Sequence, residues 1–255
     1  MIVRVYDMLT GKYSMEEIDY QTAINAYEAF IADVHAGVSE TKYDAIIKEL
    51  LSENIHVVGE SADDAYWFRA RKHSNPSEHP YTHEDIGINK FRPTIGRWNE
   101  YGEGLLYLSN ARDNALEEIQ AEPTNTISVG RFSIVNGIRV ADFTHGATAD
   151  TNGSYGGYSS FHARYFLLLL IENYFKAQST PEIYCVTNYV AKLIRSLGID
   201  GILYHSVKNR TVDCLALTSM NQIVWKLTNQ WKIDAFEESN HKFDCTLLKT
   251  IRSKT

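Results

Sequence analysis

Apolar residues near the start of the chain recur with the period of a helix, which predicts two amphipathic helices. The two sets are Tyr20, Ile24, Tyr27, Ile31 and Val34, and then Tyr43, Ile46, Ile47, Leu50 and Leu51. Ser14 and Glu17 have the spacing of a capping box, which is typical of a helix N-terminus. We therefore predict a helical hairpin over residues 14–53 that packs on the rest of the protein.

From Tyr66 onward the pattern changes to short β-rich runs separated by helices and polar loops. Strands are predicted at 66–69, 105–108, 202–205 and 212–218, and a hairpin at 126–134 and 138–143 joined by Asn136-Gly137. Helices are predicted at 110–122, around 166–171 and at 181–196, between Pro181 and Gly198.

Polar segments divide these elements. We expect loops at 72–95 and around Gly153, Gly156 and Gly157, and a loosely held polar tail from about residue 235. The fold class is therefore α+β with a sheet core. The predicted domains are an N-terminal helical extension (1–60), a main domain (61–235) and a tail (236–255).

Composition and charge exclude several classes of protein. With 25 Lys and Arg against 32 Asp and Glu, the net charge of −7 argues against nucleic-acid or anionic-membrane binding. The most apolar run, 166–171, is far shorter than the ~20 residues of a membrane span, and the N-terminus lacks the apolar core of a signal peptide. Three widely spaced cysteines suit reduced thiols. We expect a cytoplasmic protein.

Common catalytic signatures are missing from the sequence. There is no phosphate-binding P-loop, no G-x-G-x-x-G, no G-x-S-x-G and no H-E-x-x-H. His79 and His83 have the spacing of two helical metal ligands, but Pro80 between them disfavours the helix that such a site needs. We therefore predict no metal site.

Five groups of residues with polar members stand at strand ends and on one helix. The groups are Phe68-Arg69-Ala70-Arg71, Gly96-Arg97-Trp98-Asn99, Leu106-Tyr107-Leu108, Ala115-x-x-Glu118 and a final block containing Tyr184, Thr187, Val190, Ala191, Ile194, Arg195, Gly198, Asp200, Gly201, Ile202, Tyr204 and Ser206. Singly, each has an ordinary structural explanation as a solvated or core residue. Together, in this order, they resemble the RES domain, a family named for its Arg, Glu and Ser.

The resemblance, over about residues 66–220, implies a function, a fold and a partner. RES proteins are toxins, usually neutralised by an Xre-type antitoxin, and their fold is similar to that of ADP-ribosyltransferases. They consume NAD by hydrolysis or phosphorolysis, or transfer ADP-ribose to a protein. The functional residues map by motif position to Arg69, Arg97, Tyr107, Glu118 and Ser206. Two departures, a long segment between Arg69 and Arg97 and His205 in place of a common Pro, affect the substrate entrance more than the chemistry.

These residue types suit cleavage of the bond between nicotinamide and ribose. The leaving group is already cationic, so one carboxylate that stabilises the sugar cation suffices, whereas glycosidases that cleave O-glycosidic bonds generally use two. Glu117 and Glu118 point about 100° apart on a helix and cannot both face one cleft. The register of the motif selects Glu118.

The remaining candidates would bind the dinucleotide. Guanidinium groups bind phosphate oxygens bidentately, so Arg69 and Arg97 could hold the diphosphate, with Arg71 a weaker third. Tyr107 offers a ring face to the cationic nicotinamide or a hydroxyl to ribose. Ser206 could hydrogen-bond ribose or amide, and nothing nearby would activate it as a nucleophile.

Four functions stay open at this point. The first is an NAD glycohydrolase or phosphorylase toxin, and the second an ADP-ribosyltransferase that uses the same site. The third is a nuclease that uses His73, His79 or His83 as acid and base, and the fourth is a non-catalytic binding module. The acceptor (water, phosphate or protein) is not encoded in a readable motif. The apolar faces of the N-terminal hairpin could also serve a homodimer.

Overall fold

The computed structural model describes residues 2–7, 12–17, 20–59, 66–75, 78–88, 94–144, 154–155, 158–177 and 180–253. Gly153, Gly156 and Gly157 of the predicted loop lie outside these residues. The fold is α+β, as predicted.

The N-terminal region begins with a β-hairpin and continues into the predicted pair of helices. Strands β1 (Ile2–Asp7) and β2 (Lys12–Glu17) pair antiparallel, and helices α1 (Tyr20–His35) and α2 (Asp44–Glu53) follow. The capping-box prediction is wrong, because Ser14 lies within β2 opposite Val5. The β-branched and aromatic residues of β1 favour a strand, and that strand supplies a backbone partner for residues 12–17.

Nine described strands form the main sheet, in the order β13-β12-β6-β4-β5-β11-β10-β7-β3. Their bounds are β3 (Ile55–Val58), β4 (Trp67–Lys72), β5 (Leu106–Ser109), β6 (Thr126–Ile134), β7 (Ile138–Asp142), β10 (Gly201–His205), β11 (Asp213–Leu217), β12 (Ile223–Glu237) and β13 (Lys242–Arg252). A separate short pair, β8 (Ser154–Tyr155) with β9 (Tyr158–Ser159), precedes helix α5. All pairings in the main sheet are antiparallel except that of β7 with β10.

The predicted pairing of the 126–134 and 138–143 segments is wrong, although both strands and their turn are present. Asn136 and Gly137 have φ of 65° and 63°, as a tight turn needs, but β6 pairs with β12 and β4, and β7 with β10 and β3. Four strands lie between them, which in a flat sheet would separate them by about 24 Å. Four residues of chain reach at most about 14 Å. The sheet therefore curves back on itself.

Residues from both halves of the curved sheet share one apolar core on its inner face. Phe132 and Ile134 of β6 belong to the same buried cluster as Ile138 and Val140 of β7. Ile202 and Tyr204 of β10 lie on the opposite face of the sheet, where they pack against a layer of helices. They are two residues apart and therefore point to the same side of their strand. That layer consists of α1, α2, α5 (Ser160–Leu170), a π-helical turn (Ile171–Phe175) and α6 (Pro181–Ser196).

Two short helices lie on other parts of the sheet. The single turn α3 (His83–Ile86) begins at the capping box of Thr82 and Asp85, within the predicted 72–95 loop. Helix α4 (Arg112–Glu118) is shorter than predicted and packs Ala115 and Leu116 against β4, β6 and β12.

The C-terminal residues are part of the sheet, so the expectation of a loosely held tail is wrong for residues 242–252. Strand β13 pairs with β12 over most of its length, and Phe243 is buried in the cluster beneath α4. Polar residues on the solvent side of an edge strand give it the composition of a loop. The domain boundaries themselves stay a prediction.

Candidate active site

A cleft in two parts lies where β4, β5, α4 and the β10–β11 pair meet. The first cavity, of about 240 Å³, is lined by Phe68, Arg69, Ala70, Tyr107, Leu108, Ser109, Ala115, Glu118, Ile119, Tyr204 and Cys214. The second cavity, of about 450 Å³, includes Arg71, Lys72, Tyr81 and Asn99 in its wall. The two cavities share Arg69, Ala70, Tyr107 and Ile119, so one elongated ligand could occupy both.

Glu118 is held at the mouth of the first cavity by Ser206. The Ser206 hydroxyl donates to Glu118 Oε1 at 2.6 Å and accepts the backbone N–H groups of Lys208 and Asn209, at 3.1 and 3.3 Å. Ser206 is only 1% exposed, whereas Glu118 is exposed. Since a hydroxyl has a single proton to donate, Ser206 orients the carboxylate.

Glu117 points away from the cleft, as the helical period requires. Its two carboxylate oxygens contact His241 Nδ1 at 3.0 and 3.1 Å, beside the start of β13. Of the two neighbouring acids, only Glu118 lines the cleft.

Arg69 lies at the junction of the two cavities without a carboxylate partner among the described residues. Its guanidinium makes one long hydrogen bond, to the Leu105 carbonyl at 3.4 Å. Burial, and then the positive charge of Arg71, lower the pKa of Arg69 to about 9. An uncompensated cation in this position is stabilised by a bound anion.

Arg71 lines the second cavity two residues further along β4. It donates to the Gly87 carbonyl at 2.9 Å, and burial lowers its pKa as well. Arg69 and Arg71 thus place two cations on the β4 wall of the cleft, in a net acidic protein.

Tyr107 lies between the two cavities, and its hydroxyl is bonded within the protein. The hydroxyl donates to Asn99 Oδ1 at 2.8 Å and accepts the Trp98 N–H at 3.0 Å, and burial raises its pKa. A Cβ at Gly96 would lie 2.6 Å from Asn99 Oδ1 and 2.8 Å from the hydroxyl, so this contact needs a glycine. Tyr107 lines both cavities.

Arg97, which we predicted as the second phosphate ligand, lines neither cavity. It is 6% exposed and donates to the carbonyls of Tyr174 (2.9 Å), Phe175 (3.1 Å) and Ala177 (2.6 Å). The carbonyls at a helix C-terminus lack partners within the helix and attract a cation. The geometry thus favours a structural role, and a ligand contact by Arg97 stays an untested prediction.

Helix α6 supports the same segment from behind. Thr187 donates its hydroxyl to the Arg97 carbonyl, and Arg195 bonds the Trp98 carbonyl at 3.2 Å and the Glu103 carboxylate at 3.0 Å. Thr187 and Arg195 both belong to the final block of motif residues. Part of that block therefore supports the cleft from behind and does not line it.

The first cavity is also lined by residues without a predicted role in the site, among them Phe68, Ser109, Tyr204 and Cys214. Burial raises the pKa of the Cys214 thiol to about 12, so the thiol stays protonated at neutral pH. Tyr204 lies in the same motif as Ser206, which is the one signal that could have indicated it. His73, His79 and His83 line neither cavity. Within the described ranges, no group of His, Cys, Asp and Glu could hold a metal.

Comparison with known proteins identifies the family. The model of the RES domain matches residues 66–230, which is more than half of the chain and includes Arg69, Glu118 and Ser206. The chain belongs to the RES domain family. The match contains every residue that lines the two parts of the cleft, so the cleft lies entirely within the RES domain.

Other comparisons are more distant. A chain from the crystal structure of the M. tuberculosis MbcT–MbcA toxin–antitoxin complex aligns with 11% sequence identity and a TM-score of 0.47, covering 77% of this chain and 94% of that chain. A comparison of this chain with curated proteins found no match. None of its described helices is long and apolar enough to span a membrane.

Proposed function

We propose that this protein is a RES-domain toxin that cleaves the bond between nicotinamide and ribose in NAD, as a glycohydrolase or a phosphorylase. The observation that carries the proposal is one cavity lined by an oriented carboxylate, Glu118, and by a guanidinium, Arg69, that has no carboxylate partner among the described residues. NAD is the substrate, and the reaction as proposed uses no metal.

The chemistry needs only the groups that this cavity offers. The C1′–N bond breaks and its electron pair goes to the nicotinamide nitrogen, which departs neutral and needs no acid. The Glu118 carboxylate stabilises the cation that develops on the ribose and can accept hydrogen bonds from its hydroxyls. Water then attacks C1′ and loses a proton, or phosphate attacks instead.

The two parts of the cleft suit the two halves of NAD. In this arrangement the nicotinamide riboside occupies the first cavity against the Tyr107 ring, and the diphosphate meets Arg69 at the junction. The adenosine half extends into the second cavity beside Arg71. Cavities of about 240 and 450 Å³ together lie within the usual size range of small-molecule sites.

The second candidate is transfer of ADP-ribose to a protein target from the same site. It is favoured by the exposure of Glu118 at the mouth of the cavity, where an acceptor side chain could approach the ribose. We further propose a cytoplasmic toxin whose cognate partner is an Xre-type antitoxin, with no direct binding of nucleic acid. A homodimer remains part of this proposal.

The test is incubation of the purified protein with NAD, with and without phosphate, while free nicotinamide is measured by chromatography. Nicotinamide release that matches NAD loss supports cleavage, and the co-product separates the acceptors: ADP-ribose for water and ADP-ribose 1″-phosphate for phosphate. Label transfer from NAD to an extract protein, with little release otherwise, supports the second candidate. Intact NAD under all three conditions would refute both.

A further inference from the structure

A basic pocket lies across β6, β12 and β13, outside the two cavities of the cleft. It has a volume of about 460 Å³ and is lined by Arg131, Val224, Trp225, Lys226, Leu227, Arg252 and Ser253. Three of these seven residues are cations and none is an acid, although the protein carries a net charge of −7. The pocket therefore selects for anionic groups.

Arg131 lines the pocket with a guanidinium that lies 4.0 Å from the ring centroid of Tyr66. The contact with the ring face holds the cation in place. The planar guanidinium matches a carboxylate in geometry.

The pocket adjoins a free sheet edge. Of the described strands, β13 pairs with β12 alone, so the backbone groups on its outer side have no strand partner. Leu247 and Leu248 on β13 are 49% and 45% exposed. Long edge strands with exposed apolar residues are usually covered, because they otherwise promote aggregation.

The register connects the edge to the pocket. Arg131 of β6, Leu227 of β12 and Arg252 of β13 lie opposite one another, so their side chains share one face of the sheet. Residues 249–252 pair with β12 without a bulge, so their outer side offers a regular edge directly beside the basic pocket. Strand pairing and carboxylate binding could therefore act on one continuous ligand.

We propose that the outer edge of β13 and the basic pocket bind an extended acidic segment of a partner protein. The segment adds a strand beside residues 249–252 of β13 and directs carboxylates to Arg131, Lys226 and Arg252. Its apolar side chains lie near the exposed Leu247 and Leu248, at the bulge that ends this regular stretch. This binding is independent of the cleavage of NAD.

The experiment measures the fluorescence anisotropy of a labelled ten-residue peptide of alternating valine and glutamate with the full-length protein. Two further probes replace every glutamate by glutamine or methylate alternate backbone nitrogens. We expect Arg131→Met and Lys226→Met each to raise the Kd about tenfold, and both altered probes to bind at least tenfold more weakly. Lys232→Met is the matched control, since Lys232 is also an exposed lysine of β12 but lies outside the pocket.

Several results would overturn the proposal. Equal binding of the glutamine probe excludes recognition of carboxylates, and equal binding of the methylated probe excludes strand addition. If Lys232→Met raises the Kd of the peptide as much as Lys226→Met does, the effect comes from net charge and not from the pocket. The melting temperature of Arg131→Met tests whether this variant is folded. Lys226→Met changes an exposed side chain and is expected to fold normally, so it reports on binding even if Arg131→Met is destabilised.

Discussion

The β4 wall of the cleft and the segment 96–103 behind it are neighbours that use arginine in opposite ways. Arg69 of the wall makes one long hydrogen bond within the described part of the chain, at the junction of two cavities. Arg97 of the supporting segment donates to three main-chain carbonyls and is almost completely buried. A guanidinium whose donors are satisfied by the protein stabilises the fold, whereas one with free donors is available to a ligand.

The two acids of α4 show the same difference. Glu117 is engaged by His241, whereas Glu118 is held by the Ser206 hydroxyl and remains exposed at the cavity mouth. In both pairs, the candidate for chemistry is the residue that the protein leaves incompletely bonded.

The largest effect is expected from the α4 pair. Glu118→Gln should lower NAD cleavage by roughly 10²–10³-fold, because the amide carries no charge to stabilise the sugar cation. Its melting temperature should hardly change, since Glu118 is exposed. Glu117→Gln is the control and should keep its activity. Nicotinamide release measures both, and an active Glu118→Gln would refute the assignment.

The arginine pair should separate activity from stability. Arg69→Met should lower kcat/KM for NAD by roughly 10- to 100-fold, mainly through KM, because a charge-assisted bond to phosphate is lost. Arg97→Met should instead lower the free energy of unfolding by about 3 kcal/mol, because several buried carbonyls lose their donor.

Steady-state kinetics and urea denaturation of both arginine variants test this difference. Methionine retains the length and apolar character of the side chain in each case, so the comparison isolates the guanidinium. A stable Arg97→Met protein with a raised KM would instead make Arg97 a substrate ligand.

A smaller effect is expected at Ser206. Ser206→Ala should lower kcat by about tenfold and leave KM unchanged, because Glu118 loses the bond that orients it while the binding residues stay in place. Ser109→Ala is the control, since Ser109 lines the same cavity but has no bond to Glu118. Equal losses in the two variants would mean that general packing, and not orientation, is responsible.

Local signals in the sequence predicted the helices, strands and turns better than they predicted which strands pair with each other. The bounds of α6 follow from Pro181 at its first turn, the Thr180 cap and the positive φ of Gly198. Asn136-Gly137 forms its turn, yet a turn fixes only local geometry, and β6 finds its neighbours in residues 67–72 and 223–232. The pairing of β13 could not be predicted because its exposed polar residues resemble a loop.

The sequence likewise predicted which residues belong to the site region, but not all of their contacts. Glu118 was separated from Glu117 by the helical period together with the motif register. Arg69 and Arg97 could not be separated, because the carbonyls that saturate Arg97 lie 77 to 80 residues later in the chain. Motif position indicates which residues belong to a site, but only tertiary contacts show which of them face the ligand.

The bond between Ser206 and Glu118 spans 88 residues, which has a consequence for the order of synthesis. A ribosome completes Arg69 and Glu118 well before it reaches β10, which carries Tyr204 and ends at His205, next to Ser206. Any product that terminates before residue 201 lacks one wall of the cleft and the anchor of its carboxylate. Under the proposed function, prematurely ended chains are therefore expected to leave NAD intact.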